Sequence, residues 1–413
     1  MEAGAGLGRL WSAYAVSTYG TWIAFGAFPL IAVRVLDSSP FEVSLLEASG
    51  LAVAAVAAFP LGPWVDRRPK RPVMVAMDLA RFLAMASVPV AYVLGVLSYP
   101  HLVVVAVLSG TAGIAFTAAS GAYLKHLVRG DRLLAANGRF EGTRWMATAV
   151  GPPLGGALIA LFGPVVTVTA AAGGFLLSAL GILRIRGGDV AAPRDPATGL
   201  RRAEVLGGWR LILGDPALRR LFLNSILVGG LITAASPLLA VLLLGEYRMP
   251  AWQYGLAFGI PALGGFAGAR LSARLVQRYG RYRVMAVSGW LRSLFPLGLA
   301  FVHPGLTGLL TVILVESLLI TSMGVFTPIC AAERLHRTPA DRAARVLSAW
   351  TVSSRLLQAA LMVTWGVLAT LTSPLAAITA SGVLLLATPL LLPARANLSA
   401  PAPVAPADEA SAA

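Results

Sequence analysis

The sequence predicts an all-helical membrane protein with twelve transmembrane helices in two pseudo-symmetric six-helix bundles. Of its 413 residues, 57% are hydrophobic and 12% are charged, whereas about 25% of residues are charged in soluble domains. Twelve apolar runs approach the length of about 20 residues that crosses a bilayer. Arginines inside these runs recur at one spacing, because Arg81 and Arg292, and Arg144 and Arg355, are each 211 residues apart. This repeat indicates a duplicated membrane bundle, an architecture typical of transporters.

The first six runs form the predicted amino-terminal bundle, residues 1–185. Their apolar residues are continuous and do not alternate with polar ones, which excludes membrane β-strands. Helices are the remaining structure that satisfies its own backbone hydrogen bonds in lipid. The predicted spans are 11–33, 43–64, 73–95, 101–124, 136–161 and 164–185.

The longest connection, residues 186–218, is predicted to be a cytoplasmic linker that contains an amphipathic helix. Trp209 and Leu213 share one apolar stripe of that helix, which suits a helix lying on a membrane surface. Asp215 and Pro216 then predict the N-cap and first turn of the seventh span.

The last six runs form the predicted carboxy-terminal bundle, residues 219–393. The tail that follows, 394–413, is rich in alanine and proline and is predicted to be disordered. The predicted spans of this bundle are 219–244, 252–274, 284–302, 305–330, 343–371 and 374–393.

The distribution of basic residues predicts the orientation in the membrane. Successive loops between spans lie on alternate sides of the membrane and so form two sets. The net charge is +15, yet of the 33 Lys and Arg only Arg34 and Arg248 fall in the loops of one set. The basic set is expected on the cytoplasmic side together with both termini, where it meets anionic lipid. The positive charge therefore indicates a lipid bilayer as partner and does not indicate nucleic acid. A single cysteine, Cys330, excludes an internal disulfide, and no Cys/His cluster predicts a metal or cofactor.

Two short motifs carry a resemblance to a known family. The loop GPWVDRRPKR at 62–71 resembles the loop 2–3 signature of the major facilitator superfamily, with Pro69 where glycine is usual. The run GPPLGG at 151–156 resembles the signature of its antiporter branch, through Gly151, Pro152, Gly155 and Gly156. Its glycines allow a neighbouring helix to approach closely. By this resemblance the segment seals the protein against leak, although a glycine-rich packing face alone looks the same.

Three further stretches are similar to the twelve-helix drug:proton antiporters of the macrolide and enterobactin exporter type. The stretches are RLW at 9–11, DLAR at 78–81, and LAANGRFEGTR at 134–144. The arginine that many proton antiporters carry in the fourth span is missing from 102–123. The resemblance implies the major facilitator fold and proton-coupled export of a small lipophilic or amphipathic compound, such as a drug, a siderophore or a secondary metabolite.

Charged residues of the amino-terminal bundle are predicted to form one gating network. An unpaired charge inside a span costs about 2.5–3.5 kcal/mol on insertion scales, and residues three apart share a helix face. The network closes the cytoplasmic side in the outward-facing state, or it only locks the bundle together. Its candidate members are Asp66, Arg67, Arg71, Asp78, Arg81, Glu141 and Arg144.

Glu316 is the first candidate for proton coupling, and Glu47 is the second. Glu316 is near the middle of the tenth span with no basic residue within four positions. A lone carboxyl group in hydrocarbon is most stable when protonated. Glu316 could instead bind a cationic substrate or hydrogen-bond a neighbouring helix.

Aromatic and polar residues of the first, fourth and seventh spans are the candidates for substrate contact. By the family resemblance these spans face a central cavity, where aromatic rings would suit a flat lipophilic or cationic compound. The same rings could instead face lipid or pack between helices. The candidates are Tyr19, Trp22, Phe116 and Asn224.

Other functional classes are weaker predictions. A primary pump needs the GxxxxGK[ST] loop, which the sequence lacks. His126 and Asp131 match an HxxxxD acyltransferase spacing, but they occupy a basic loop beside the bilayer, so no enzyme activity is predicted. Uptake by proton symport and a sensor or scaffold role remain alternatives. The predicted partners are a small-molecule substrate and protons, and the predicted place is a bacterial inner membrane, with a monomer sufficient.

Overall fold

The structure is a computed structural model that describes residues 2–128, 131–185, 202–339 and 342–393. Regular structure within these ranges is helical, with no β-strand. Eleven of the described segments are long and apolar enough to cross a membrane, which confirms the predicted fold class. Part of the predicted linker (186–201) and the predicted tail (394–413) lie outside the described residues.

Six helices form the amino-terminal half. A turn at residues 24–26 divides the first predicted span into two helices, whereas the second, third and fourth spans are single helices. The bounds are α1 Glu2–Ile23, α2 Ala27–Arg34, α3 Pro40–Asp66, α4 Lys70–Val93, α5 Tyr99–Leu127 and α6 Asp131–Leu183.

The fifth and sixth predicted spans are joined in α6, which is 53 residues long. Its backbone leaves helical geometry at Gly163, where φ is 83° and ψ is 166°. Glycine tolerates this positive φ because it lacks a Cβ, and Pro164 disfavours helical geometry in the residue before it. The break falls in the gap predicted at 162–163, so α6 contributes two spans.

The linker helix, α7 (Arg202–Gly214), is attached to the carboxy-terminal half. The Trp209 indole nitrogen donates to Ser353 Oγ at 2.8 Å, and a Cβ on Gly208 would overlap the carbonyl of Arg345. Leu213 stays half exposed. Trp209 therefore packs against protein, and not against lipid as predicted, because Gly208 lets α7 approach the neighbouring helix.

The carboxy-terminal half follows, and three of its spans end in irregular helix. A π-helical segment, Val241–Glu246, continues α8, and 3₁₀ segments follow α10 and α13. The bounds are α8 Pro216–Ala240, α9 Ala251–Tyr279, α10 Arg281–Leu294, α11 Leu306–His336, α12 Ala343–Leu371 and α13 Pro374–Leu385.

The two halves pack together at one end of the bundle. We call the end that carries Arg9, the 67–69 turn and Gly280 the basic end. At the opposite end, one hydrophobic core combines residues of both halves, among them Leu30 and Leu238. Toward the basic end each half has a core of its own. The described conformation is therefore closed at the opposite end and separated at the basic end.

Candidate substrate cavity and charge clusters

A cavity of about 620 Å³ lies in the amino-terminal half. Its described lining residues come from α1, α4, α5 and α6. Five of them recur on one face of α1 at the spacing of a helical repeat, and they are Tyr14, Ser17, Thr18, Thr21 and Trp22. The cavity wall thus combines hydroxyl groups with aromatic rings.

The cavity includes two of the four predicted contact residues. Trp22 and Phe116 line the cavity, whereas Tyr19 is absent from its described lining. Asn224 was predicted to face substrate, but it is fully buried and its amide donates to the Thr388 carbonyl at 2.8 Å. In this conformation the Asn224 amide is used inside the carboxy-terminal half and does not face the described cavity.

Asp78 and Arg81 form a buried cluster with α1. Arg81 Nη1 is 3.5 Å from Asp78 Oδ1 and donates to Ser17 Oγ at 3.0 Å. Ser17 Oγ donates in turn to Asp78 Oδ1 at 3.1 Å, and Arg81 Nη2 donates to Thr21 Oγ1. The Arg81 guanidinium stacks 3.8 Å from the centre of the Phe175 ring. These contacts join α1, α4 and α6 in the middle of the amino-terminal half.

Glu141 and Arg144 form a separate pair at the cavity mouth. Arg144 Nη2 is 2.6 Å from Glu141 Oε2, with side-chain exposures of 44% and 60%. Ion pairs this exposed contribute little to stability. In this conformation, which is separated at the basic end, the described charges of the predicted network divide between a buried cluster and an exposed pair.

The other members of the predicted network have different surroundings. Arg71 donates to the carbonyls of Ile182 and Leu183, at 3.2 and 2.7 Å, and so caps the end of α6. Arg67 is exposed. The side chain of Asp66 lies outside the described part of the chain.

The repeat-related arginine of the carboxy-terminal half has a neutral partner. Arg292 is buried, donates to Asn224 Oδ1 and stacks 3.4 Å from the centre of the Phe326 ring. Gly289 occupies the position that corresponds to Asp78. The duplicated arginine is thus kept, while its acidic partner is replaced by an amide from α8.

A second buried ion-pair cluster was not predicted from the sequence. Glu333 accepts from Arg337 Nε at 2.6 Å and from Arg281 Nη1 at 2.9 Å, and Arg337 Nη1 is 3.3 Å from Asp215 Oδ2. Burial lowers the pKa of Arg337, but its bonds to Glu333 and Asp215 outweigh this and raise the pKa above its usual value. The four-residue spacing of Glu333 and Arg337 on one helix was the available signal.

Asp215 also confirms the predicted N-cap of α8. Its Oδ1 accepts from the backbone amides of Ala217 and Leu218 at 2.8 and 3.2 Å. The same carboxylate therefore caps α8 and pairs with Arg337 of α11, so it fixes the start of one span to the end of another.

Glu316 and Glu47 have no ion-pair or hydrogen-bond partner among the described residues. Glu47 is on α3 and Glu316 is on α11. One turn beyond Glu316, α11 packs on α9 so closely that a Cβ on Gly268 would overlap the Thr321 carbonyl. Glu316 therefore lies beside the close contact between α9 and α11.

The GPPLGG segment packs on two helices at once. A Cβ on Gly151 or Gly155 would overlap Trp22 or Ile23 of α1, and one on Gly156 would lie 2.5 Å from the Ala251 carbonyl oxygen of α9. Gly255 of α9 in turn has no room for a Cβ beside Pro152. The segment thus joins α1, α6 and α9 across the two halves.

Arg34 also connects the two halves, at the end opposite the basic end. Its Nε donates to the Leu244 carbonyl at 3.1 Å and its Nη2 to the Met249 carbonyl at 2.9 Å. Leu244 belongs to the π-helical segment, and π turns are frequent at functional sites. Both bonds must break before this end can open.

Comparison with known proteins identifies the family. The family model of the major facilitator superfamily matches residues 10–362. The chain belongs to the major facilitator superfamily. The two six-span halves are therefore the halves of a superfamily transporter.

Relatives of this superfamily member include multidrug efflux pumps. The chain is 28% identical over 269 residues to the multidrug efflux pump Tap of Mycolicibacterium fortuitum, covering 63% of the chain and 64% of that pump. It therefore spans just under two thirds of the length of that relative. It is 27% identical over 292 residues to the multidrug efflux pump Tap of Mycobacterium tuberculosis, covering 69% of each.

Solved superfamily structures share the fold. A bacterial homologue of the human lysosomal transporter Spinster, in an inward-facing and unoccupied conformation, matches with a TM-score of 0.71 and 14% identity over 95% of each chain. A bacterial homologue of the iron transporter ferroportin, in an inward-facing state, matches with a TM-score of 0.70 and 17% identity, over 93% of this chain and 98% of the other.

Proposed function

We propose that this transporter exports a small lipophilic or amphipathic compound from a bacterial cell in exchange for protons. The observation that carries the proposal is the cavity of the amino-terminal half, together with the GPPLGG segment that joins α1, α6 and α9 at the closed end. With its basic end in the cytoplasm, the described conformation faces inward and accepts substrate from that side. The names of the relatives, multidrug efflux pumps, support export.

Proton coupling is assigned first to Glu316 and second to Glu47. An acid that carries protons has to release them on each side in turn, so a permanent cationic partner would hold it ionised. Neither carboxyl group has such a partner among the described residues. The Asp78–Arg81 cluster and the Glu141–Arg144 pair, with Asp66, Arg67 and Arg71, are proposed to act as gating charges that rearrange between the two states.

A single chain in the lipid bilayer is sufficient for this mechanism. Both six-span halves of the transporter belong to this one chain. The proposed partners are therefore a small-molecule substrate, protons and lipid, with no second subunit needed.

The test uses everted membrane vesicles that carry a respiration-driven, acid-inside pH gradient. A panel of macrolides, lipophilic cations, siderophores and sugars is added to wild type, Glu316→Gln and Asp66→Asn, with Glu246→Gln as control because Glu246 is exposed at the end of the π-helical segment. We expect a compound to collapse the gradient in wild type and in Glu246→Gln but not in Glu316→Gln.

Three other results would change the proposal. Collapse that survives in Glu316→Gln moves the proton site to Glu47 or to the Asp78–Arg81 cluster. A gradient that no compound affects, combined with substrate uptake into intact cells, overturns export in favour of proton symport. A lack of flux in either direction indicates a sensor or scaffold.

A further inference from the structure

The charge of the cavity wall indicates the chemistry of the substrate. Among the described residues that line the cavity, the charged ones are both arginines, Arg81 and Arg144. We infer that the transported compound carries an anionic group, such as a carboxylate, enolate, phosphate or sulfonate, beside a flat apolar ring. This inference rests on the proposed transport through the same cavity.

Arg144 supplies the accessible positive charge. Its guanidinium lines the cavity, whereas its partner Glu141 does not. The pair is not enclosed by protein, with side-chain exposures of 44% and 60%, and Arg144 borders the cavity, so an arriving anion can compete with Glu141 for the guanidinium. Two donors on one planar group suit a carboxylate or a phosphate.

Arg81 and Ser109 add donors deeper in the wall. Asp78 Oδ1 lies 3.5 Å from Arg81 Nη1, which is long for a charge-assisted hydrogen bond, so the pair leaves hydrogen-bonding capacity on the guanidinium. Arg81 Nε and Ser109 Oγ are both buried and have no hydrogen-bond partner among the described residues. Unsatisfied buried polar groups are costly, and a substrate that offers acceptor atoms relieves that cost.

The rest of the wall fits the ring of such a compound. Tyr14 and Trp22 present aromatic surface in the same wall as the two arginines. The basic loops at the mouth raise the local concentration of anions, since a cleft of one charge steers the opposite charge inward. A cationic compound, which the aromatic residues alone had suggested, would meet two like charges and is disfavoured.

The test measures equilibrium binding to the purified full-length protein in lipid nanodiscs. The probes are 8-anilinonaphthalene-1-sulfonate and N-phenyl-1-naphthylamine, which differ by one sulfonate group, and a naphthylammonium cation. Empty nanodiscs correct for binding to lipid. Arg81→Gln is not used alone because it leaves the buried Asp78 carboxylate without a cation. The variants are Arg144→Gln, Glu141→Gln and the control Arg139→Gln, an exposed arginine of α6 outside the cavity lining.

We expect the sulfonate to bind more tightly than its neutral analogue. Arg144→Gln should weaken sulfonate binding about tenfold, by the loss of a charge-assisted hydrogen bond, and leave the neutral probe unchanged. Glu141→Gln should strengthen sulfonate binding, because it removes the competing carboxylate. Arg139→Gln should change the affinity of neither probe. Higher salt should weaken binding of the sulfonate probe and leave binding of the neutral probe unchanged.

Three results would overturn the inference: no saturable sulfonate binding, tighter binding of the cation, or equal sulfonate affinity in wild type and Arg144→Gln. The binding assay contains no pH gradient, so a failure of proton coupling does not alter it. Conversely, gradient collapse by neutral compounds and cations, without collapse by anions, would support the proposed export and overturn the anionic preference.

Discussion

A Cβ atom on Gly156 would lie 2.5 Å from the carbonyl oxygen of Ala251. Helices α6 and α9 therefore meet backbone against backbone at the closed end, and each belongs to a different half of the transporter. A contact this close allows no side chain at position 156, so it makes the closed state sensitive to one substitution.

We expect Gly156→Val to open the end that is closed in this structure. Overpacking costs about 1–3 kcal/mol, and the cost falls only on the state in which the helices touch. The distance between spin labels at Val96→Cys and Glu246→Cys, one on each half, should increase. Gly173→Val is the control in α6, because a Cβ there meets no atom within 4 Å. An unchanged distance in a folded Gly156→Val protein contradicts the prediction.

Arg34→Gln should also favour opening of this end. The substitution removes the bonds from Arg34 to the carbonyls of Leu244 and Met249. Arg34 is exposed and its two bonds are partly buried, so we expect about a tenfold shift at most. A cysteine at Leu30, which is buried at the closed end, should react faster with an impermeant thiol reagent added on that side.

Arg248→Gln serves as the control for Arg34→Gln. Arg248 is exposed near the same end and makes no bond across the halves among the described residues. Equal reaction rates in the two variants would mean that surface charge, and not the bonds of Arg34, sets the rate.

Arg81→Gln should destabilise the protein more than Arg292→Gln. Removal of Arg81 leaves the fully buried carboxylate of Asp78 unpaired, at a cost of about 3–5 kcal/mol. Removal of Arg292 leaves the neutral amide oxygen of Asn224 without its hydrogen-bond donor, at a cost of about 1–3 kcal/mol. The stabilities of Arg81→Gln and Arg292→Gln are compared by their unfolding midpoints in detergent. The double variant Asp78→Asn with Arg81→Gln should recover part of the loss, and a lower midpoint in Arg292→Gln than in Arg81→Gln would refute this asymmetry.

Glu316→Gln should separate exchange from active transport. A glutamine cannot release a proton, so transport driven by the pH gradient should stop, whereas exchange of labelled for unlabelled substrate should continue because it needs no net proton movement. In proteoliposomes, a counterflow assay measures the exchange, and uptake driven by an imposed pH gradient measures active transport. Loss of both would mean that Glu316 holds the structure or binds substrate.

The helices could be predicted from the sequence because the bilayer leaves few alternatives. Apolar runs of the right length have to be helical in lipid, and the gap predicted between the fifth and sixth spans coincides with the break at Gly163. The GPPLGG run likewise indicated close helix contact. Its second neighbour, α9, was not predictable, since no local pattern of α6 says which helix the glycines face.

The cavity was predicted only in part for a geometric reason. Trp22 lines the cavity, while Tyr19 lies roughly 130° around the helix axis from the centre of the lining face of α1. That face could have been found from the period of Tyr14, Ser17, Thr18 and Thr21. Contacts such as Arg337 with Asp215, 122 residues apart, depend on tertiary packing and leave no mark in local sequence.

The Arg34 contact has a consequence for how this transporter tolerates sequence change. Arg34 donates only to main-chain oxygens, so replacement of Leu244 or Met249 by other residues leaves both acceptors in place. The side chains at positions 244 and 249 are then constrained by packing in the buried core, and not by their bond with Arg34. A comparison of many homologous sequences should find no covariation between them and position 34, and a contact map built from covariation would miss this bond between the halves.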